Sequence, residues 1–312
     1  MNFFSSAISN KIFPFRIYIN ITISILLILF ISLSCSSAKR FSDIGNINSG
    51  SSDIIRVLIG DNENEQIISV DDLLLFSEEA KSLAKVNSGN KIRISNRLGK
   101  ISVSIADKVF ESNIFYLNPN PPKEIIKIDG RKYRGRIKII SSDSKIKIVN
   151  QIGLEDYVKG VMTKEMPVGN GSENYEALKA FSICVRTYAV QKLKEDKEIF
   201  DIYPDTRDQV YGGVDGETSF TNHIVDETKN QILTFNNDLA IMFYHSTCGG
   251  KTENVKNVFG RNNISYLYGV EDGSEPFCKI SPRYEWIENY SEDIFIDRLY
   301  KAKLINNKEY NL

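Results

Sequence analysis

The sequence predicts an α+β protein in which an N-terminal antiparallel β module precedes a region of mixed helices and strands. Two observations support this class. From Asp53 to about Asn150, apolar and polar residues mostly alternate, as in "KIRISNRLGKISVSI" and "RIKIISSDSKIKIV", and such alternation on both sides of a turn is typical of β-hairpins. After Asn150, apolar residues recur every three or four positions, which is typical of amphipathic helices.

The first 34 residues have the features of an export signal. Lys11 and Arg16 are the only charged residues among them, and the uncharged stretch "IYINITISILLILFISLS" ends directly before Cys35. A basic flank followed by an apolar run predicts a signal peptide over 1–34, and a cysteine just after it predicts lipidation of Cys35. The alternatives are an uncleaved membrane anchor, for which this stretch is short, and plain secretion. Each alternative places the rest of the chain outside the cytoplasm.

Length and net charge limit the number of domains and the kinds of partner that can be expected. The chain has 312 residues and a net charge of −1, so it is long enough for one large domain or two small ones and gives no reason to expect a nucleic-acid partner. Residues 35–52 are small and polar, and we expect them to form a flexible tether behind the lipidated cysteine. We expect three further segments, which are a β-rich module over 53–132, a mixed helix and strand region over 133–290, and a C-terminal helix and tail over 291–312.

The stretch "LEDYVKGVMTKEMP" predicts a helix from Leu154 to Glu165. Its apolar residues share one face, the next position on that face is Glu165, and Pro167 ends the helix. Burial disfavours the ionised form of a carboxyl group, so a glutamate at this position is a candidate proton donor. Breaking a glycosidic bond requires such a donor. The alternative is that Glu165 caps the helix or forms an ion pair with Lys179 or Arg186.

A second helix is predicted over "YEALKAFSICVRTYAVQKLKED". Lys179 and Arg186 are seven positions apart and therefore share one face of this helix. The apolar stripe lies on a different face and consists of Ala177, Phe181, Cys184 and Tyr188. We therefore expect this stripe to pack against the core, with Cys184 as a small buried residue.

Six blocks of sequence lie between about Tyr133 and Trp286: "YRGRIKIIS", "VNQIGLEDYVKGVMTKEMP", "EALKAFSICVRTYAVQKL", "DTRDQVYGG", "HIVDETKNQILTF" and "FYHSTCGGKTENVKNVFG". In order and spacing they resemble the stage II sporulation protein D family, also called the SpoIID/LytB domain. The resemblance implies a cell-wall protein, either a lytic transglycosylase of peptidoglycan or an enhancer of the amidases that trim it. The implied partners are peptidoglycan glycan strands and, for the second role, a cell-wall amidase.

The same resemblance implies that Glu165, in the "EMP" block, is the catalytic acid and base. In the implied reaction, Glu165 protonates the oxygen between N-acetylmuramic acid and N-acetylglucosamine. It then takes the proton of the muramic C6 hydroxyl, which attacks C1 and gives a 1,6-anhydro product. The substrate supplies the nucleophile, so the usual pair of carboxylates is not required. The sequence leaves Asp205, Asp208 and Glu253 open as additional carboxylates.

Four more residues of these blocks are candidates for substrate binding. Gln209 and Tyr211 offer an amide and a ring, which suit acetamido sugars, and the alternative is a turn packed by Tyr211. Lys179 and Arg186 are candidates for binding the lactyl carboxylate of a muramic residue that has lost its peptide. The alternative for these two residues is a structural ion pair.

A last candidate substrate-binding segment precedes a pair of glycines and consists of His245, Ser246 and Thr247. Glycine allows a backbone to come close to a ligand without obstruction by a side chain. The alternative is that this segment is only a tight turn.

Cys248 and Cys278 lie in the same C-terminal region. Outside the cytoplasm, two such cysteines predict a disulfide. The family resemblance implies a structural zinc site as the alternative, with His245, Cys248 and Cys278 as candidate ligands, but such a site needs four ligands and the sequence shows no fourth. We therefore expect no bound cofactor or metal.

Overall fold

The computed structural model of the protein describes residues 39–40, 54–62, 65–97, 99–121, 124–169, 172–195, 197–260 and 264–306. The predicted signal peptide over 1–34 and the predicted lipidation site Cys35 lie outside these residues, as does most of the predicted tether. Within the described ranges, no helix combines the length and the apolar character that a membrane crossing requires.

The fold is α+β, which confirms the predicted class, and its N-terminal half is rich in strands. In chain order the strands are β1 (Lys39–Arg40), β2 (Ile54–Asn62), β3 (Glu65–Asp71), β4 (Leu73–Ser77), β5 (Ser82–Val86), β6 (Lys91–Arg97), β7 (Lys100–Ile105), β8 (Lys108–Ser112), β9 (Ile114–Pro119), β10 (Ile125–Ile128), β11 (Arg131–Arg134), β12 (Arg136–Ser142), β13 (Lys145–Gly153), β14 (Gln231–Ile232), β15 (Thr234–Phe235) and β16 (Asp238–Leu239).

Most of these strands form two antiparallel sheets of six. One sheet has the order β2-β13-β12-β9-β4-β5, and the other has the order β11-β10-β3-β6-β7-β8. The two predicted hairpins are confirmed as β6–β7 and β12–β13. Alternate residues face the core, as in β12, where Ile137 and Ile139 are fully buried and Arg136 is exposed. Side chains from both sheets meet in one hydrophobic core.

The helices follow the β-rich part of the chain. They are α1 (Leu154–Glu165), α2 (Tyr175–Leu193), α3 (Ser219–Glu227), α4 (Val255–Phe259) and α5 (Glu292–Lys301), with 3₁₀ turns at Ser172–Asn174, Gly213–Gly216 and Phe277–Ile280. The structure confirms the predicted bounds of α1. Met166 is extended, with φ −130° and ψ 128°, because a residue before proline is disfavoured in the helical region.

The predicted apolar stripe of α2 is buried only in part, and Phe181 is its member that packs against the core. Ala177 is exposed, and Phe181, Cys184 and Tyr188 are only half-buried. The helix packs against α1, α3 and β14, so neighbours enclose it on more than one side and the helical period alone does not determine its buried face. The residues that are buried instead are Leu178, Ser182, Val185, Arg186, Thr187, Ala189 and Val190.

The division of the chain differs from the expected boundary after residue 132. That boundary falls inside β11, and the β12–β13 hairpin pairs with β2 and β9 of the expected β module. A sheet joined by hydrogen bonds across this position cannot be separated into two domains there. The chain instead divides into a first unit that ends at Met242 and a C-terminal unit, Phe243–Leu312.

Candidate functional site

Glu165 is the last residue of α1, and its side chain is half-buried. The apolar face of α1 is buried up to Met162, so the carboxylate lies where that face reaches the surface. Its Oε1 atom accepts a hydrogen bond from the backbone N–H of Val210. The residues that the structure describes form no other hydrogen bond with this carboxylate. One oxygen of Glu165 is therefore held by a backbone N–H, and the other accepts no hydrogen bond from the described residues.

The segment from Gln209 to Gly213 docks on α1 through the two side chains that the sequence proposed as sugar ligands. Gln209 is 1% exposed and accepts a hydrogen bond from the Tyr157 hydroxyl at 3.0 Å. Tyr211 is 7% exposed, and its ring stacks on Tyr157 with centroids 5.4 Å apart. Burial raises the pKa of the Tyr211 hydroxyl, which stays protonated and donates to Asn150 Oδ1 at 2.8 Å. This geometry favours the alternative of a packed turn.

Glycine at two positions allows this segment to approach α1. A Cβ atom on Gly160 would lie 2.5 Å from Tyr211 Cε2, and a Cβ atom on Gly216 would lie 2.2 Å from the Gly160 carbonyl oxygen. That carbonyl also accepts a hydrogen bond from the Gly212 N–H at 3.0 Å. Neither contact leaves room for a larger residue, so the backbone of the 3₁₀ turn lies directly on α1.

Arg186 is in the core and not in an open binding site. Its side chain is 0% exposed and forms two hydrogen bonds with Glu155, at 2.9 and 2.7 Å. It also donates to the Gln231 carbonyl at 3.1 Å, and Glu155 accepts from the Asn230 N–H at 3.2 Å. The pair joins α1, α2 and the turn before β14. This arrangement corresponds to the structural ion pair, with Glu155 in place of Glu165 as the partner.

Lys179 lies on α2 in a different environment. Its side chain is one-third exposed, with Nζ 3.7 Å from Glu176 Oε1 and 5.4 Å from the centre of the Tyr175 ring. The sequence placed Lys179 and Arg186 on one face, but the structure puts the first at the surface and the second in the core. Of the two, Lys179 alone remains accessible to a ligand.

The three other carboxylates that the sequence offered as possible catalytic groups form hydrogen bonds or ion pairs with neighbouring residues. Asp208 is 4% exposed and accepts hydrogen bonds from the Tyr188 hydroxyl and the Tyr203 N–H. Asp205 pairs with Arg207, whose hydrogen bonds lower the pKa of Asp205 to about 2. Glu253 belongs to the C-terminal unit and accepts from Asn254 and Asn257.

The candidate ligands His245 and Ser246 belong to the C-terminal unit, where they line a cavity together with Cys248 and Cys278. Thr247 bonds through its hydroxyl to Ser281 at 2.7 Å. The following Gly249 and Gly250 both have positive φ angles, 72° and 100°, which glycine adopts without strain. The segment is thus a tight turn that leaves two polar side chains at a cavity.

Cys248 and Cys278 are free thiols in the structure, in place of the predicted disulfide. Their sulfur atoms are 3.4 Å apart, compared with about 2.0 Å in a disulfide bond. The bond therefore stays a prediction for oxidising conditions.

The two thiols and Asp272 lie with their ligand atoms within 4.8 Å of one another. Asp272 thus replaces His245 in the cluster that the zinc alternative proposed. Three potential ligands from the described residues do not complete a structural zinc site, which needs four.

Three residues of these sites were missed by sequence reasoning. Glu155 and Asp272 are acidic residues in polar stretches, and their partners are 31 and 24 positions away in the sequence. Val210 contributes only its backbone N–H, which every residue except proline has. The side-chain pattern therefore contained no signal for Val210, and only weak signals for the two acidic residues.

Comparison with known proteins connects the first unit with one family. Residues 142–235 match the family model described as "Stage II sporulation protein" (SpoIID). An uncharacterised protein of Brachyspira hyodysenteriae is 28% identical over 201 residues, which cover 62% of this chain and 51% of that protein.

Two named relatives come from Bacillus subtilis. Its amidase enhancer is 37% identical over 154 residues, which cover 48% of this chain and 20% of the relative. Its stage II sporulation protein D is 30% identical over 167 residues, which cover 48% of this chain and 47% of the relative. The chain thus spans about half the length of two of these three relatives and a fifth of the amidase enhancer. No solved structure matches the chain.

Proposed function

We propose that the protein is a lytic transglycosylase of peptidoglycan glycan strands. Residues 142–235, which match the family model described as "Stage II sporulation protein", support this proposal. The observation that carries the proposal is the Glu165 carboxylate, half-buried at the end of an apolar helix face. The Val210 N–H holds one of its oxygens, and the described residues leave the other without a hydrogen bond. A carboxyl group in this arrangement can give a proton to a substrate oxygen and later accept one.

In the proposed reaction, Glu165 donates its proton to the oxygen that links C1 of N-acetylmuramic acid to N-acetylglucosamine. The C1–O bond breaks with its electron pair on the leaving oxygen, and positive charge develops at C1. The muramic C6 hydroxyl attacks C1, and the Glu165 carboxylate takes its proton. The products are a 1,6-anhydromuramic end and a free hydroxyl on N-acetylglucosamine, and no water is consumed.

The environment of the other carboxylates supports a mechanism with a single glutamate. Ordinary glycosidases use two carboxyl groups on opposite sides of the sugar. Asp208 is buried against Tyr188 and Lys192, and Asp205 is paired with Arg207. Asp208 is thus buried in its contacts and Asp205 is held by an ion pair, and the anhydro mechanism requires no second carboxyl group.

The experiment that tests this function compares the full chain with its Glu165→Gln variant on purified glycan strands. Mass spectrometry measures the 1,6-anhydromuramic ends. General acid–base groups contribute on the order of 10²–10⁴-fold, so the variant should lose nearly all product formation. Glycan binding, measured by co-sedimentation with insoluble peptidoglycan, should remain because the side-chain shape is kept.

Glu173→Gln is the matched control, since Glu173 is an exposed glutamate of a 3₁₀ turn in the same unit. Its rate of product formation should equal that of the unchanged chain. A Glu165→Gln variant that keeps more than about a tenth of the rate would show that Glu165 is not the acid.

A second function is favoured by the relative named amidase enhancer, which is 37% identical over 154 residues. In that role the chain binds the cell wall and activates an amidase without cleaving glycan. The rate of an added cell-wall amidase would then rise equally with the unchanged chain and with Glu165→Gln. The absence of anhydro ends in both samples, together with this equal activation, would replace the first function by the second.

The proposed substrate places the protein outside the cytoplasm, beside the cell wall. We propose lipidation of Cys35 as the anchor, on the basis of the apolar stretch that precedes it. Cys35→Ser should move the chain from the membrane fraction to the soluble fraction of cells. Retention of the variant in the membrane would instead indicate an uncleaved N-terminal anchor.

A further inference from the structure

The backbone of residues 210 to 212 is docked on α1 by alternate amide groups. The Val210 N–H donates to the Glu165 carboxylate, and the Gly212 N–H donates to the Gly160 carbonyl. Between them, the Tyr211 N–H points the other way and donates to the Pro204 carbonyl at 3.1 Å. Three consecutive amides therefore have fixed acceptors, two of them on the catalytic helix.

The residues on both sides of Val210 are held by buried side chains. Gln209 is bonded to Tyr157 of α1, and Tyr211 is bonded to Asn150 of β13. Asn150 is itself oriented by its Nδ2 atom, which donates to the Arg134 carbonyl at 2.9 Å. The Val210 N–H thus lies between two neighbours whose side chains are anchored in the core.

This rigidity distinguishes the two oxygens of Glu165. An N–H group donates to an oxygen lone pair, so Oε1 is an acceptor whether or not the carboxyl group is protonated. In the protonated form, Oε1 is then the carbonyl oxygen and Oε2 carries the hydrogen. The same hydrogen bond limits rotation of the carboxyl group about its terminal bond, which is otherwise a soft torsion.

We propose that Val210 is a positioning residue, whose N–H holds Oε1 so that Oε2 of Glu165 is the atom that gives and takes the proton. The inference rests on the proposed function and deepens it. It also assigns a role to the buried Gln209 and Tyr211 side chains, which fix Val210 and do not contact the sugar.

The hydrogen bond can be tested without any assay of activity. In the full chain labelled with ¹⁵N-valine, the Val210 amide signal is identified by its loss in Val210→Ala. Its proton resonance should move downfield as the carboxylate ionises, because a hydrogen bond to a charged acceptor is stronger. This titration should be absent in Glu165→Gln, a comparison that separates the effect of Glu165 from that of the nearby Asp208. An amide signal with the same pH response in both chains would overturn the inference.

The positioning role is tested by removal of the N–H in Val210→Pro. Misplacing a catalytic group by about 1 Å can cost on the order of 10²-fold, so we expect kcat to fall by about that factor. KM should stay within about twofold because substrate binding is not altered. Val210→Ala restores the N–H at the same position and should recover most of kcat.

Thr206→Pro is the matched control for insertion of proline into the same loop. Thr206 is exposed and follows Asp205 in a turn closed by the Asp208 N–H and the Asp205 carbonyl, a position that proline favours. It should leave kcat unchanged. Circular dichroism and thermal unfolding confirm that each variant is folded, and a folded Val210→Pro chain with unchanged kcat would overturn the positioning role.

Different experimental results would contradict the proposed function and the positioning role of Val210. If Glu165→Gln keeps full activity, the proposed function is wrong. If Glu165→Gln is inactive and folded Val210→Pro keeps its kcat, the function stands and the positioning role is wrong.

Discussion

The unit that ends at Met242 and the unit from Phe243 to Leu312 bury their apolar side chains to different extents. The first has a core built from both sheets and the first three helices. In the described part of the second, Val255 and Ile296 are the buried apolar residues. Large apolar side chains that stay accessible there are Phe277, Ile280, Trp286 and Ile287, with exposed fractions of 86%, 95%, 72% and 88%.

This difference in burial explains why some of the predicted substrate-binding residues are buried and others line a cavity. The first unit contains Arg186, Gln209 and Tyr211. Its extensive core buries these side chains, and each of them links different elements of the fold. His245 and Ser246 belong to the second unit, where they remain at a cavity. Substitutions in the first unit should therefore change global stability, and changes in the second should be local.

The largest effect is expected from Arg186→Met. It leaves Glu155 as a charge without its partner near the core, and breaking a buried pair in this way costs about 3–5 kcal/mol. Unfolding in urea measures the loss. Addition of Glu155→Gln should recover part of it, because the second substitution removes the unpaired charge.

Lys179→Met is the control on the same helix and should change stability by less than about 0.5 kcal/mol, since its ion pair is exposed. An Arg186→Met chain of unchanged stability that no longer binds glycan would contradict the structural role and restore Arg186 as a ligand.

The next effect concerns the C-terminal unit. A disulfide between Cys248 and Cys278, which are 30 positions apart, should stabilise this unit by about 3–4 kcal/mol in the chain-entropy model. Hydrogen exchange with and without reductant should show faster exchange for residues 243–306 after reduction, and unchanged exchange in the two sheets. Exchange that accelerates equally in both units would contradict the prediction that the bond acts only within the C-terminal unit.

Thiol counting on unreduced, denatured protein in a Cys35→Ser background provides the direct test of the bond. One reactive thiol, from Cys184, supports the disulfide, and three exclude it. Three thiols together with one zinc ion per chain would favour the metal alternative, and Asp272→Asn should then weaken zinc binding because Asp272 is near both thiols.

A smaller effect is expected from Gly160→Ala. The added methyl group would meet the Tyr211 ring, and overpacking of this kind costs about 1–3 kcal/mol. Gly153→Ala, at the start of the same helix, is the control, since the nearest atom to its new Cβ is 4.0 Å away. Equal stability of the two variants in urea would show that the contact between α1 and the 3₁₀ turn is not close.

The smallest effect concerns pH. Burial raises the pKa of Asp156, and Arg134 and Lys159 oppose this shift. A raised pKa means that the folded state binds the proton more tightly than the unfolded state. Stability therefore falls as pH rises above the ordinary pKa of 3.8.

Asp156→Asn removes this cost, so the variant should be more stable at neutral pH by up to about 0.5 kcal/mol, given the partial exposure of the group. The difference should vanish in acid. A variant that is less stable at neutral pH would show that attraction to the helix N-terminus outweighs the effect of burial.

The sequence by itself determined those strands and helices that are encoded by patterns of neighbouring residues. The alternation of residues gave the β6–β7 and β12–β13 hairpins, and the apolar spacing with Pro167 gave both ends of α1. Glu165 could be located at the end of an apolar face for the same reason. Each of these features depends on residues within a few positions of one another, so a single stretch contains the whole pattern.

Only the tertiary structure decided which oxygen of Glu165 is held and which polar residues are buried. Val210 and Glu165 are 45 positions apart, and Arg186 and Glu155 are 31 apart. The buried face of α2 likewise depends on α1, α3 and β14 packing around it. Long-range contacts of this kind are set by how the elements pack, and a backbone N–H leaves no mark in the side-chain sequence that could reveal its partner.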